Sequence, residues 1–379
     1  MRTLTTLATA TALTAAAPAV AQDFEVETLA EGLDRPWALT FLPNGDDILM
    51  TSRGGSFMIW EAESEEVTEL EGAPEVDTAN QGGLLDVALA PDFEDSNTIY
   101  FTWSGEVEGG TTTHLGRGTL NVDEGRVDDI ETLFQVSPGF DSDAHYGSRI
   151  VFRDGHVFFG TGDREFKDFG PDHIAQDRSS ENGSVVRLTL DGEVPDDNPF
   201  VDVDGAAPAI WSYGHRNIQA MTVHPDTGEI WLAEHGEAGG DEINIVERGE
   251  NYGWPLAAYG VDYQTGARFA PPHRAGDGFV APVYHWDAGR DDNFPPSGMT
   301  FYEGDAFADW QGHLLIGNLY HEYLGVFPVD GDDVSEPERV LEGEGHRIRD
   351  VAVGPDDGYV YLLTDGEDVP LLRLVPSED

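Results

Sequence analysis

The sequence predicts an all-β protein, a six-bladed β-propeller with four-stranded antiparallel blades. Three observations lead there. Apolar residues alternate with a period of two through short runs, as they do in half-buried strands. The runs come in pairs around turns rich in Pro, Asp and Gly, and that pair recurs six times along the 379 residues. Nowhere does a long stretch space its apolar residues as a helix would.

The paired runs, in chain order, begin with Trp37 to Ser52, WALTFLPNGDDILMTS, and Leu84 to Trp103, LLDVALAPDFEDSNTIYFTW. The third is Ile150 to Gly162 and the fourth runs from Ile218 to Val223, through a His-Pro-Asp-Thr-Gly turn, to Ile230 to Ala233. Gly298 to Asn318 and Asp350 to Thr364 complete the set. Between them lie further strand signals at Phe57 to Trp60, His114 to Leu120, Ser184 to Leu190 and Tyr323 to Val329. Repeats of roughly 45 to 80 residues with about four strands each are propeller blades, the longer ones carrying loop insertions. A β-sandwich would leave six similar units unexplained, and a helical solenoid lacks its helices.

Residues 1–21 read as a signal peptide, with Arg2 near the start, an Ala/Leu/Thr-rich middle and Ala19-Val20-Ala21 before Gln22. Residues 22–379 then form one propeller domain, exported to the periplasm or secreted. No later stretch is apolar and long enough to cross a bilayer as a helix, so membrane insertion is not expected. The chain has no cysteine, and the fold cannot rest on disulfides. Its formal net charge is −53, with acidic residues scattered through loops and Lys167 as the single lysine. Such a field repels nucleic acid and anionic membranes and points to a moderately halophilic source.

A propeller gathers the starts of its innermost strands at one mouth of the central channel. Residues there are polar: Gln81 before the second pair, His145 before the third, Arg216 and Asn217 before the fourth, Arg347 and Arg349 before the sixth. After the second strands come Arg53, Asp163, Glu234-His235-Gly236, Asn318-Leu319-Tyr320 and Asp365. Each alone has an ordinary reading as a surface histidine, a salt-bridge partner or a loop hydrogen bonder. Their shared place in the repeat makes a functional site the better one. Three arginines converging in so acidic a chain suit a multiply anionic ligand, since guanidinium forks pair with carboxylates.

The motifs Gln81-Gly82-Gly83-Leu84-Leu85, His145-Tyr146-Gly147-Ser148-Arg149, Gly162-Asp163, Gly214-His215-Arg216-Asn217, Asp241-Glu242-Ile243-Asn244, Asn251-Tyr252-Gly253-Trp254-Pro255 and Arg347-Ile348-Arg349-Asp350 are ordered along nearly the whole mature chain. In them the sequence resembles the soluble PQQ-dependent aldose sugar dehydrogenases, the glucose/sorbosone dehydrogenase family. The resemblance implies that His145 is the general base toward the C1 hydroxyl of an aldose, that Asp163 orients it, and that Arg216 stands near the reacting carbonyl of the quinone. It implies PQQ binding by Gln81, Arg216, Asn217, Arg347 and Arg349, with Leu319 and Tyr320 at the matching fifth-repeat positions. It further implies Ca²⁺ on the backbone carbonyls of Gly236 and Glu237, and a second Ca²⁺ site at Glu242 and Tyr252. An electron acceptor, not identified by the sequence, completes the expected reaction.

Two departures from the family pattern stand out. The fifth repeat carries Leu319-Tyr320 where a lysine is common, and Ala144 precedes His145 where some members have an acid. The first removes an expected cofactor contact; the second leaves sugar preference open. A Ca²⁺-dependent propeller lactonase is the alternative enzyme, and a non-catalytic sugar- or protein-binding propeller the alternative without chemistry. The lactonase would need carboxylates holding a metal at the channel centre. Retention of His145 and Asp163 together speaks for catalysis.

Overall fold

A computed structural model describes residues 24–288 and 293–377. The expected signal peptide lies outside the described residues. Six four-stranded antiparallel sheets surround a channel, each running from an innermost strand outward. The first strand of the chain, β1 (Phe24–Leu33), lies apart from its neighbours in sequence. Blade one is β2 (Pro36–Phe41), β3 (Ile48–Ser52), β4 (Ser56–Glu61) and β5 (Glu66–Leu70). Blade two is β6 (Leu84–Leu89), β7 (Thr98–Val107), β8 (Gly110–Asn121) and β9 (Arg126–Gln135). Blade three is β10 (Ile150–Arg153), β11 (His156–Gly160), β12 (Ser184–Thr189) and β13 (Ile210–Tyr213). Blade four is β14 (Ile218–Val223), β15 (Ile230–Glu234), β16 (Glu242–Ile245) and β17 (Tyr284–His285). Blade five is β18 (Pro296–Phe301), β19 (Leu314–Asn318), β20 (Tyr323–Phe327) and, after a small hairpin of β21 (Val329–Asp330) and β22 (Asp333–Val334), β23 (Glu338–Val340). Blade six is β24 (Ile348–Val353), β25 (Val360–Thr364) and β26 (Val369–Pro376), finished by β1.

The six hairpins legible in the sequence are thus the two inner strands of every blade. Their alternation is strong because both faces of an inner strand are covered by neighbouring blades. Apolar side chains pack into one cluster at each of the six blade interfaces, for example Phe57, Phe101 and Trp103 between blades one and two. The sixth of these, with Leu39 and Met50 against Leu363 and Leu371, seals the ring.

Closure is where the structure adds to the sequence reading. β1 pairs antiparallel with β26, from Phe24 opposite Pro376 to Leu33 opposite Val369, so both chain ends share blade six. This leaves no open sheet edge between first and last blade. β1 is mostly exposed, which is why its apolar period is too weak to single it out.

A second feature controls what reaches the channel. In five of the six blades the innermost strand slips register near its start: at Pro36/Ala38, Leu84/Val87, Ile218/Ala220, Pro296/Met299 and Ile348/Asp350. Such bulges turn side chains out of the pleat. Trp37, Gln219 and Arg349 are the residues skipped in three of them, and all three line the mouth cavity. Blade three alone keeps an unbroken ladder, from Ile150 opposite Phe159 to Arg153 opposite His156. Among the described residues no helix is long and apolar enough to cross a membrane.

Candidate active site

His145 opens the loop that enters β10, and its backbone is left-handed, with φ of 50°, followed by Gly147 at 67° and Ser148 at 106°. For a non-glycine residue such a conformation costs on the order of 1–3 kcal/mol and persists only where surroundings enforce it. Two side chains do so here. Gln81 Oε1 accepts from the His145 N–H at 2.8 Å, and Asn217 Oδ1 accepts from the Gly147 N–H at 3.1 Å. Gly147 must be glycine, since a Cβ there would lie 2.5 Å from Thr161 Cα.

The strained loop delivers His145 to Asp163, its Nδ1 2.7 Å from Oδ1. Asp163 is fully engaged: Oδ1 also accepts from the Glu165 N–H at 3.0 Å, and Oδ2 accepts from Trp254 Nε1–H at 2.8 Å. Its own N–H donates to the Arg216 carbonyl at 2.7 Å, tying blade three to blade four. His145 is 6% exposed and Asp163 1%. Burial, and then the Arg216 charge, lower the His145 pKa below its ordinary 6.5, against the opposing pull of Asp163. Burial would raise Asp163, but His145, Arg216 and His173 together hold it below the usual carboxylate range. An ionised Asp163 fixes the proton on Nδ1, which leaves Nε2 as a bare lone pair.

Arg216 stands beside this pair. Its Nη2 donates to Glu237 Oε2 at 2.6 Å and its Nη1 to the His235 carbonyl at 3.3 Å, while Nε is buried with no acceptor. Lys167 reaches the same Glu237 at 3.4 Å. His235 donates from Nε2–H to the Pro296 carbonyl at 2.7 Å. Burial, with Arg216, His145 and Arg349 nearby, pushes its pKa down to about 3, so it is neutral.

Across the mouth, a cavity of about 260 Å³ is walled by Arg53, Arg347 and Arg349 together with Gln81, Gln219 and Trp37. Asp365 Oδ2 serves two of these guanidinium groups, Arg347 Nε at 2.5 Å and Arg349 Nη2 at 3.1 Å. Arg347 also donates to the Leu319 carbonyl. Burial would raise Asp365, but Arg349 and Arg347 hold it far below the usual range. Burial and the other arginines lower Arg53 in turn. One carboxylate among three guanidinium groups leaves excess positive charge facing the cavity. Arg349 Nε, like Arg216 Nε, is buried without an acceptor.

The structure therefore gathers Gln81, His145, Asp163, Arg216, Asn217, Leu319, Arg347 and Arg349 at one mouth. Gln81 and Asn217, expected as ligand contacts, spend their side-chain oxygens on the His145 loop. Tyr320 differs from expectation: it is 67% exposed, lies edge-on against His321 and is not part of the cavity wall. Backbone direction explains this, since Tyr320 sits in the turn after β19 with its N–H held by Asn318 Oδ1.

The residues expected to hold Ca²⁺ split. Gly236, Glu242 and Tyr252 line a space of about 10 Å³ with Glu234. Glu237 turns its carboxylate to Arg216 instead. Carbonyl oxygens of Gly239 and Gly240 both lie 2.3 Å from where a Gly236 Cβ would stand, so the loop is a cradle of backbone oxygens. Burial, and then the Glu234 charge, raise the Glu242 pKa well above its ordinary value. Asn244 Oδ1 is buried without a partner beside it. The Tyr252 hydroxyl is committed to the Glu247 N–H and the Ile245 carbonyl, and its backbone oxygen already accepts from His273 Nε2 at 2.9 Å. Among the described residues no three His, Cys, Asp or Glu side chains are arranged around one ion position.

Sequence reasoning gave no role to Trp254, Gln219 or Trp37. Trp254 is 91 residues from the Asp163 it serves, a distance only the fold collapses. A buried indole N–H demands an acceptor, and that was the signal available.

The likeness to known proteins runs the length of this architecture. The model of the glucose/sorbosone dehydrogenase family matches residues 33–373. Aldose sugar dehydrogenase YliI of Escherichia coli (strain K12) is 44% identical over 367 residues, covering 95% of this chain and 94% of that protein. The crystal structure of the soluble aldose sugar dehydrogenase from Escherichia coli, in the apo-form, matches with a TM-score of 0.87 and 42% identity over 94% of this chain and 100% of that one. The PQQ-bound form of an aldose sugar dehydrogenase from Streptomyces coelicolor matches with a TM-score of 0.74 and 30% identity, covering 93% and 98%. With the histidine–aspartate pair and the arginine wall inside the matched residues 33–373, the chain belongs to the glucose/sorbosone dehydrogenase family.

Proposed function

We propose that this protein is an exported, PQQ- and Ca²⁺-dependent dehydrogenase that oxidises aldoses at C1 to lactones. The observation that carries the reading is the pairing, at one mouth, of a neutral His145 held on Asp163 with two buried guanidinium nitrogens that lack acceptors. A planar tricarboxylate fits that donor set: Arg53, Arg347 and Arg349 wall the cavity, and Arg216 stands behind His235, another of its lining residues, whose carbonyl it holds. The donor set around Gly236 fits a hard cation through backbone carbonyls and the Glu242 carboxylate, with the excess negative charge there favouring one.

PQQ, when bound, would supply a quinone able to accept the C1 hydrogen together with two electrons, as a hydride. His145 Nε2 takes the hydroxyl proton as the C1–O bond becomes a carbonyl. Asp163 keeps the imidazole in the accepting tautomer and stabilises the imidazolium that forms. Gln81 and Asn217 hold the loop that aims it. Arg216 places positive charge beside the reaction centre, and Glu237 and Trp254 fix that guanidinium in position. The electrons leave to an acceptor whose identity the site does not specify. A lactonase is disfavoured because Asp86 and Asp350, which line a space in the channel, are already taken by Arg149.

The test is reconstitution. Purified protein given PQQ and CaCl₂ should reduce a dye acceptor when aldoses are added and release the C1 lactone. Protein with no quinone-dependent sugar oxidation under those conditions overturns the reading.

A further inference from the structure

Arg149 lies outside the mouth cavity, yet four other blades of the propeller meet on it. It precedes β10, the one innermost strand without a bulge, and its side chain runs into the channel. Nη1 donates to Asp86 Oδ1 at 3.1 Å and to Asp350 Oδ2 at 3.0 Å. Nε donates to the Gln219 carbonyl at 2.9 Å and Nη2 to the Arg349 carbonyl at 3.2 Å. The guanidinium plane covers the Trp37 ring, 4.1 Å from its centroid. These partners come from blades one, two, four and six. Blade five closes in through Gly298, where a Cβ would stand 1.8 Å from Asp350 Oδ1.

The partners are what make this more than a structural knot. Trp37, Gln219 and Arg349 are bulge residues whose side chains wall the mouth cavity. Arg349 Nη1 bonds Gln219 Oε1 at 3.3 Å, so the two form one surface. On the opposite side, Asp86, Arg149 and Asp350 wall a separate space of about 160 Å³ in the channel. Arg149 is the septum between the two. A bulge frees a side chain from the pleat but does not aim it. Arg149 supplies the aim by gripping the backbone at two of the bulges and stacking on the third.

We propose that Arg149 is a positioning residue for the cofactor cradle, holding Arg349, Gln219 and Trp37 in the arrangement that binds PQQ; this rests on the PQQ reading above. The role needs a planar fork with a stacking face. Lysine keeps the charge that compensates Asp86 and Asp350 but has neither property.

The test is equilibrium titration of PQQ, followed by its absorbance without sugar, alongside the melting temperature of each variant. Arg149→Lys should weaken PQQ binding about tenfold or more, the loss expected when charge-assisted hydrogen bonds to the cradle are misdirected. Asp86→Asn removes one anchor of Arg149 far from the cavity and should weaken binding about threefold to tenfold. Leu362→Ala, a cavity mutation in the cluster between blades five and six, should lower the melting temperature and leave the dissociation constant alone. A purely structural Arg149 would behave like Leu362, and wild-type affinity in both folded variants overturns the proposal. If Arg149→Lys does not fold, Asp86→Asn decides alone. Wild-type protein that binds no PQQ overturns the proposal together with the reading beneath it.

Discussion

The two sides of the channel mouth are built on opposite electrostatic plans. On the side of blades three and four, His145, Asp163 and Trp254 form a closed chain in which both Asp163 oxygens are engaged by donors. On the side of blades one and six, Arg347 and Arg349 share Asp365, Arg53 beside them bonds only the Gly82 and Asn80 carbonyls, and the Arg349 Nε has no acceptor. The histidine–aspartate chain is finished before any ligand arrives; the arginine wall, and the Arg216 Nε beside the chain, are completed by one. Proton handling needs a fixed tautomer and fixed aim, which saturation provides. Anion capture needs unpaid donors, and these raise the energy of the empty site.

Substitutions should separate the sides. Asp163→Asn strikes the finished one: the amide cannot stabilise the imidazolium and offers His145 the wrong tautomer. Sugar-dependent turnover should fall by roughly 10²- to 10⁴-fold with quinone affinity nearly unchanged. Loss of quinone binding in that variant would break the distinction. Arg349→Ala strikes the unfinished side and should weaken PQQ about 10- to 100-fold, with activity recovered at excess cofactor. Arg347→Ala should cost less, about threefold to tenfold, because its side chain is 43% exposed against 7% for Arg349 and solvent screens it. Equal losses from both arginines would show that burial does not set their roles.

The pH profile sharpens the same contrast. Burial and Arg216 lower His145 below 6.5, so it is neutral at pH 7, as the proposed role of base requires. The acid limb of kcat/KM should therefore fall below pH 6.5, with activity lost as pH drops and the imidazole protonates. A limb centred above 7 would mean that Asp163 outweighs desolvation. The smallest effect concerns the whole surface. A formal charge of −53 repels itself, so the melting temperature should rise as salt is raised from dilute buffer toward 1 M, roughly the range over which the Debye length shrinks to about 3 Å. An unchanged melting temperature would remove the halophilic expectation.

What the sequence made legible follows from how local each signal is. The inner hairpins declared themselves because both of their faces are covered, and His145, Arg216 and Arg349 declared themselves by sitting at one fixed point of the repeat. β1 did not, because an exposed closing strand needs no apolar face. The bulges at Trp37, Gln219 and Arg349 were invisible because a register slip changes pairing without changing composition. Glu237 was read for its carbonyl, while its carboxylate pairs with Arg216. Only the fold brings Arg149 to Asp350, 201 residues on.

The division of labour between the two sides meets its most direct test in one rapid-mixing experiment. PQQ-loaded wild-type protein and His145→Ala, with Ca²⁺ present and air excluded, are mixed with an aldose while quinone absorbance is followed. His145→Ala should carry as much bound quinone as wild type and show its reduction slowed by roughly 10²- to 10⁴-fold. A variant that fails to retain the quinone, or reduces it at the wild-type rate, would contradict the assignment of proton abstraction to His145.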